Sequence, residues 1–160
     1  MKLTLLTLSF FLSFWPSLAS LPRNPQAKPE WKYVVTSEDD SSTWKTYYDA
    51  VNIEHQANNI VRVWLKQMPV TKTDAEMQRI ISAIIANRKV NEMSTSGYEK
   101  FAYSLTLVEF DCAGRKGRST AIKDYDQSEK PLSSDTREDA PFAPVVEHSM
   151  SEVVMKAACK

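Results

Sequence analysis

The sequence predicts an α+β fold: a single antiparallel sheet of about six strands, a C-terminal helix disulfide-tied to one face, and an extra helix inserted between strands. Three observations carry that expectation. Short β-branched and aromatic stretches recur between turn residues. Two other segments switch to helical spacing behind a capping box. The chain holds two cysteines, Cys112 and Cys159, downstream of an export signal.

That signal is MKLTLLTLSFFLSFWPSLAS, in which Lys2 precedes an almost uninterrupted apolar run from Leu3 to Trp15 and Pro16 breaks the run before Ser17-Leu18-Ala19. The run is shorter than the about 20 residues of a spanning helix, so residues 1–19 read as a secretory signal peptide cut after Ala19 or one residue later. No cysteine lies near the cut to be lipidated, and no later segment has the length and apolarity of a membrane span. The expected location is outside the cytoplasm, in the periplasm or at the cell surface. Residues 20–30 carry three prolines and no periodicity, and read as an extended tether. The domain proper is expected over 31–160.

Export gives the two cysteines a default fate, a disulfide between Cys112 and Cys159. The two histidines, His55 and His148, show no metal-ligand spacing relative to either cysteine. In the chain-entropy model, closing a loop of about 47 residues stabilises the fold by about 4 kcal/mol.

The strands follow in order. WKYVVT opens at Trp31, the acidic turn EDDSS follows, and WKTYYDAVNI supplies a second strand ending near Asp49. After a turn through 55–59, Val61, Val63 and Leu65 alternate with Arg62, Trp64 and Lys66, the period of two expected of a strand with one better-buried face. Thr73 and Glu76 then form a capping box, and Met77, Ile80, Ile81, Ile84 and Ile85 recur at steps of three and four, predicting an amphipathic helix over 74–90 that packs on the sheet.

FAYSLTLVEFDC is the longest strand, with Tyr103, Leu105 and Leu107 on one face and Val108, Phe110 and Cys112 on the other. Both faces are thus expected to be at least partly covered, as in a central strand. A Gly-bounded turn over 113–117 leads into GRSTAIKDYD, with a short further strand near 131–133 and a surface loop over 133–148. Ser149 and Glu152 form a second capping box, opening a short helix in which Met150, Val153, Val154 and Ala157 are expected to share the packed face.

Composition excludes more than it assigns. With 20 basic and 20 acidic residues the chain has no global charge to steer it to nucleic acid. Ser42-Thr43-Trp44-Lys45 has S-x-x-K spacing but lacks the helix start and companion motifs that chemistry needs. Glu38-Asp39-Asp40 lacks the glycine and distal glutamate of a calcium loop, and the three glycines make no phosphate loop. No cofactor, metal site or catalytic set is expected. Two features remain for binding: the aromatic residues Tyr47, Tyr48, Trp64, Tyr98 and Tyr103, which line a groove or fill the core, and the basic turn of Arg115, Lys116 and Arg118, the leading candidate for contact with a protein partner or a polyanion.

The order of TYYDAVNI, VRVWLK, SGYEKFAYSLTLVEFDC, the nearby Arg118, and the final serine, helix and cysteine resembles the surface-adhesin protein E family of Gram-negative bacteria. The resemblance spans Trp31 to Cys159. It implies the same six-stranded sheet and disulfide-tied helix, and attachment to host matrix or serum proteins. The chain departs from the family's lipoprotein in lacking a lipidation cysteine, and adds the helix at 74–90. The other function class in view is a periplasmic accessory or inhibitor-like protein that binds an envelope partner. A dimer is compatible with either.

Overall fold

A computed structural model describes residues 27–38 and 42–160. The signal peptide at 1–19, most of the tether (20–26) and the centre of the acidic turn (39–41) lie outside the described residues. The elements run β1 (Trp31–Glu38), β2 (Thr43–Asp49), β3 (Glu54–His55), β4 (Ile60–Pro69), α1 (Asp74–Val90), β5 (Phe101–Asp111), β6 (Lys116–Asp126), β7 (Pro131–Thr136), β8 (Ala143–Pro144) and α2 (Met150–Ala158). Six strands form one antiparallel sheet in the order β1-β2-β4-β5-β6-β7, with the two-residue strands β3 and β8 added to β4 and β6. Each neighbour in the sheet is thus a neighbour in the chain, apart from these short additions.

Both helices pack on the same face. Val61, Val63 and Leu65 from β4 join Val108 and Phe110 from β5 beneath Val154, Met155 and Ala158 of α2. Further along that face, Ile81 of α1 packs with Tyr98 and Phe101, flanked by Trp44, Met77, Ile84, Ile85 and Leu132. The stripe read from the sequence of α1 is therefore the stripe that packs. Thr73 caps this helix by accepting the Glu76 N–H at 3.2 Å, while the Glu76 carboxylate reaches back to the Lys72 N–H at 2.6 Å. One orphan donor of the first turn and the N–H just before the cap are satisfied this way.

The disulfide expected between Cys112 and Cys159 is present, joining the end of β5 to the C-terminus of α2 across 47 residues. Two expectations are corrected. The packed face of α2 is Met150, Glu152, Val154, Met155 and Ala158, so Met150 and Val154 lie as expected while Val153 stands half in solvent. With three adjacent apolar residues, spacing alone cannot choose the face; the position of the sheet does. The loop expected from 133 is strand as far as Thr136, because Ser133, Ser134, Asp135 and Thr136 pair with β6. Both faces of β5 are at least partly covered, as expected, although the helices lie on one of them only.

The turn after β5 places its left-handed residue at Arg115 (φ 49°) and not at a glycine. Gly114 is required for a different reason. Its N–H donates to Asp111 Oδ1 at 2.8 Å, and a Cβ there would run into the same carboxylate.

Candidate recognition face

Side chains alternate across a strand, so pairing register fixes which residues share the uncovered face. Tyr33 lies opposite Tyr47, Tyr47 opposite Lys66, Lys66 opposite Leu105, Leu105 opposite Lys123, and Tyr103 opposite Tyr125; Trp64 lies opposite Leu107. Trp31 belongs to the same face, two residues before Tyr33. Among the described residues neither helix touches this set. Its members are half-buried by one another, and Tyr33 is 56% exposed.

The rings and ammonium groups interleave. Tyr33 and Tyr47 meet edge to face at 5.9 Å, and Tyr103 and Tyr125 stack at 5.1 Å. Lys66 Nζ sits 3.9 Å above the Tyr103 ring and 5.8 Å from Trp31, and Lys123 Nζ sits 5.2 Å from Trp64. Each cation is held by a ring quadrupole. A hollow of about 390 Å³ opens here, floored by Trp31, Trp64, Leu105, Lys123 and Tyr125 and rimmed by Ala27, Lys28, Pro29, Asp49 and Asn52. Burial pushes the Tyr103 hydroxyl pKa up, with the Glu129 charge adding to it, so this phenol stays neutral.

Acidic groups on the same face are already engaged. Asp49, 2% exposed, accepts the N–H groups of Glu30, Val51 and Asn52 and the Asn52 side-chain amide at 2.7–3.3 Å, fixing the bend after β2. Glu109, 6% exposed, lies between two arginines: Arg118 donates at 2.7 and 2.8 Å, and Arg62 Nε forms an ion pair at 3.0 Å without an aligned hydrogen bond.

The basic turn read from the sequence is split by the fold. Arg118 is bound to Glu109, donates to the Ala140 carbonyl at 3.1 Å and stacks on Phe142 at 4.4 Å. Arg115 reaches Glu152 of α2 at 2.9 Å. Lys116 alone projects without such a partner among the described residues. The acids that pair with the two arginines sit 9 and 37 residues away in sequence, which is why the run looked uncompensated. Of the aromatic set, Tyr47, Trp64 and Tyr103 lie on the open face, while Tyr48 joins the α2 core and Tyr98 is buried. Tyr98 donates to Asp124 at 2.6 Å, and its hydroxyl lies 2.8 Å from that of Ser133; burial foremost, with the Asp124 bond, pushes its pKa up to about 12. Trp31, Tyr33 and Tyr125 complete the face and were not singled out, because their membership depends on register.

Glu152 is the second clamp on α2, at the end opposite the disulfide. Its carboxylate accepts the His148 N–H at 2.9 Å and meets Lys156 at 3.1 Å and Arg115 at 2.9 Å. These contacts, the His148 bond first, hold its pKa down at about 2, against an ordinary 4.5. A depressed carboxylate stabilises the fold above its unfolded pKa and loses that contribution as pH falls through the folded one. Acid titration is therefore expected to loosen α2 between about pH 4.5 and pH 2, and Glu152→Gln is expected to remove that part of the pH dependence, read as helical ellipticity and melting temperature.

Ser42 and Lys45 do not form a catalytic pair; the Ser42 hydroxyl accepts the Trp44 indole N–H at 2.9 Å. Among the described residues no three His, Cys, Asp or Glu side chains gather to hold a metal ion, and no helix is long and apolar enough to cross a membrane. A sheet with both helices on one side, a terminal helix clamped at each end and an aromatic, basic opposite face defines an α+β scaffold that presents a surface. Residues 31–160 match the family described as surface-adhesin protein E, and the chain belongs to that family. No curated protein and no solved structure matches it.

Proposed function

We propose that this chain is an exported, non-enzymatic binding protein of the bacterial cell envelope that attaches to host matrix or serum components through the open sheet face. The observation that carries this reading is the set of six aromatic residues, Trp31, Tyr33, Tyr47, Trp64, Tyr103 and Tyr125, left outside the helix-covered core with Lys66 and Lys123 among them. Aromatic residues presented around a depression are the usual anchors of recognition surfaces. Family membership supports an adhesin-like role. The basic turn takes second place in this reading, because two of its three cations are committed to holding α2 and the β6 loop.

Binding of the mature protein to a matrix-coated surface, with variants confined to the open face or to the basic turn, tests the assignment. Labelling on intact cells against recovery in periplasmic extracts decides between a host component and an envelope protein as the partner.

A further inference from the structure

We propose that the open face takes an acidic polysaccharide, its sugar rings lying on Trp31, Trp64 and Tyr125 and its carboxylate or sulfate groups meeting the ammonium groups of Lys66 and Lys123. The inference rests on the face being the recognition surface and names what it recognises.

Charge is the first argument. Every buried carboxylate of this face is saturated: Asp49 by four N–H donors and Glu109 by two arginines. Neither Lys66 nor Lys123 has a carboxylate partner among the described residues; each is held over a ring. Three ammonium groups, Lys28, Lys66 and Lys123, thus stand against one carboxylate, the amide-bonded Asp49, at a hollow of about 390 Å³, inside the range of about 300–1,000 Å³ typical of small-ligand sites.

The second argument separates a glycan from a peptide. Strands β2, β4, β5 and β6 are each paired on both sides, so their backbone donors and acceptors are used within the sheet. A peptide that recognises a sheet gains most of its affinity from a free edge. This surface offers rings, phenol hydroxyls, one amide, three ammonium groups and the Asp49 carboxylate. Stacking with side-chain polar contacts is how a sugar ring is held, and it needs no backbone from the protein.

The test uses the oxidised mature protein, in which Trp31 and Trp64 lie on the face and Trp44 in the core, so tryptophan fluorescence reports on the site. Heparin and hyaluronan octasaccharides, a neutral dextran octasaccharide and an octa-glutamate peptide are titrated at two salt concentrations. The expected result is saturable quenching by an acidic octasaccharide, weakening as salt rises, and no response to dextran or octa-glutamate. Heparin alone would identify sulfate as the group read; a response to hyaluronan as well would show that carboxylate suffices. Lys66→Gln with Lys123→Gln is expected to weaken binding by about tenfold or more with an unchanged melting temperature. Equal binding of octa-glutamate, no acidic octasaccharide bound, or parental affinity in the double variant would overturn the proposal. Matrix stripped of its glycans by lyases separates the two levels: if stripped matrix still binds and the lysine variant loses that binding, the face stands and the ligand class falls; if the variant keeps it, both fall.

Discussion

Replacing Cys112 and Cys159 together by alanine is expected to lower the stability of the mature protein by about 4 kcal/mol. Their sequence separation of 47 sets that figure through the entropy returned to the unfolded chain. The structural consequence is concentrated in α2. Nine residues are too few to persist as a helix in water, so α2 depends on what holds it to the sheet. At its N-terminus that is Ser149 as cap and the Glu152 contacts with His148, Arg115 and Lys156. At its C-terminus it is the disulfide. Removing the bond should therefore fray the helix from Ala158 backwards, with amide exchange rising there before the strands exchange. Urea unfolding of the oxidised parent and the double variant measures the loss. A difference below about 1 kcal/mol, or strands that exchange as early as α2, would contradict this account of the clamp.

Phe110→Ala is expected to cost about 3–5 kcal/mol, the usual range for truncating a buried aromatic residue. Phe110 is wholly buried, lies opposite Val61 and shares a cluster with Val154 and Met155 of α2. Its ring also presses on the next strand, where a Cβ on Gly117 would approach it to 3.1 Å. The void cannot be filled from β6, since Gly117 has no side chain to move in. Leu105→Ala, on the open face of the same strand, removes a similar residue from a half-buried position and should cost less than about 1.5 kcal/mol. Denaturant midpoints at constant m-value compare the two. Equal costs would mean that the two faces are covered alike.

The features legible in the sequence were the ones set by neighbours. Both capping boxes place their helices correctly because each is a contact within three or four residues. The alternation of Val61, Val63 and Leu65 identifies a one-sided strand because the period is local. The disulfide followed from there being two cysteines in a chain that opens on a sequence read as an export signal.

What escaped depends on register between distant segments. Val153, Val154 and Met155 are all apolar, and the sheet alone decides that Val153 faces water. The register of β5 with β6 shifts between Leu107 and Val108, as Thr120 adds one residue to β6. The membership of Tyr125 and Lys123 in the open face therefore could not be counted from the turn at 112–115. The pairing of Arg115 with Glu152 spans 37 residues, so a basic run that reads as a free patch turns out to be partly a fastening of the fold.

The central claim is that recognition belongs to the open face and not to the basic turn. Two variants with the same loss of charge separate them: Lys66→Gln with Lys123→Gln on the face, and Arg115→Gln with Lys116→Gln on the turn. Their binding to immobilised basement-membrane matrix is measured beside the parent, each variant first matched to it in melting temperature at neutral pH. The account predicts that the face variant loses about tenfold or more in affinity and that the turn variant stays within about twofold of the parent. Parental binding by the face variant, with the loss confined to the turn variant, would contradict it.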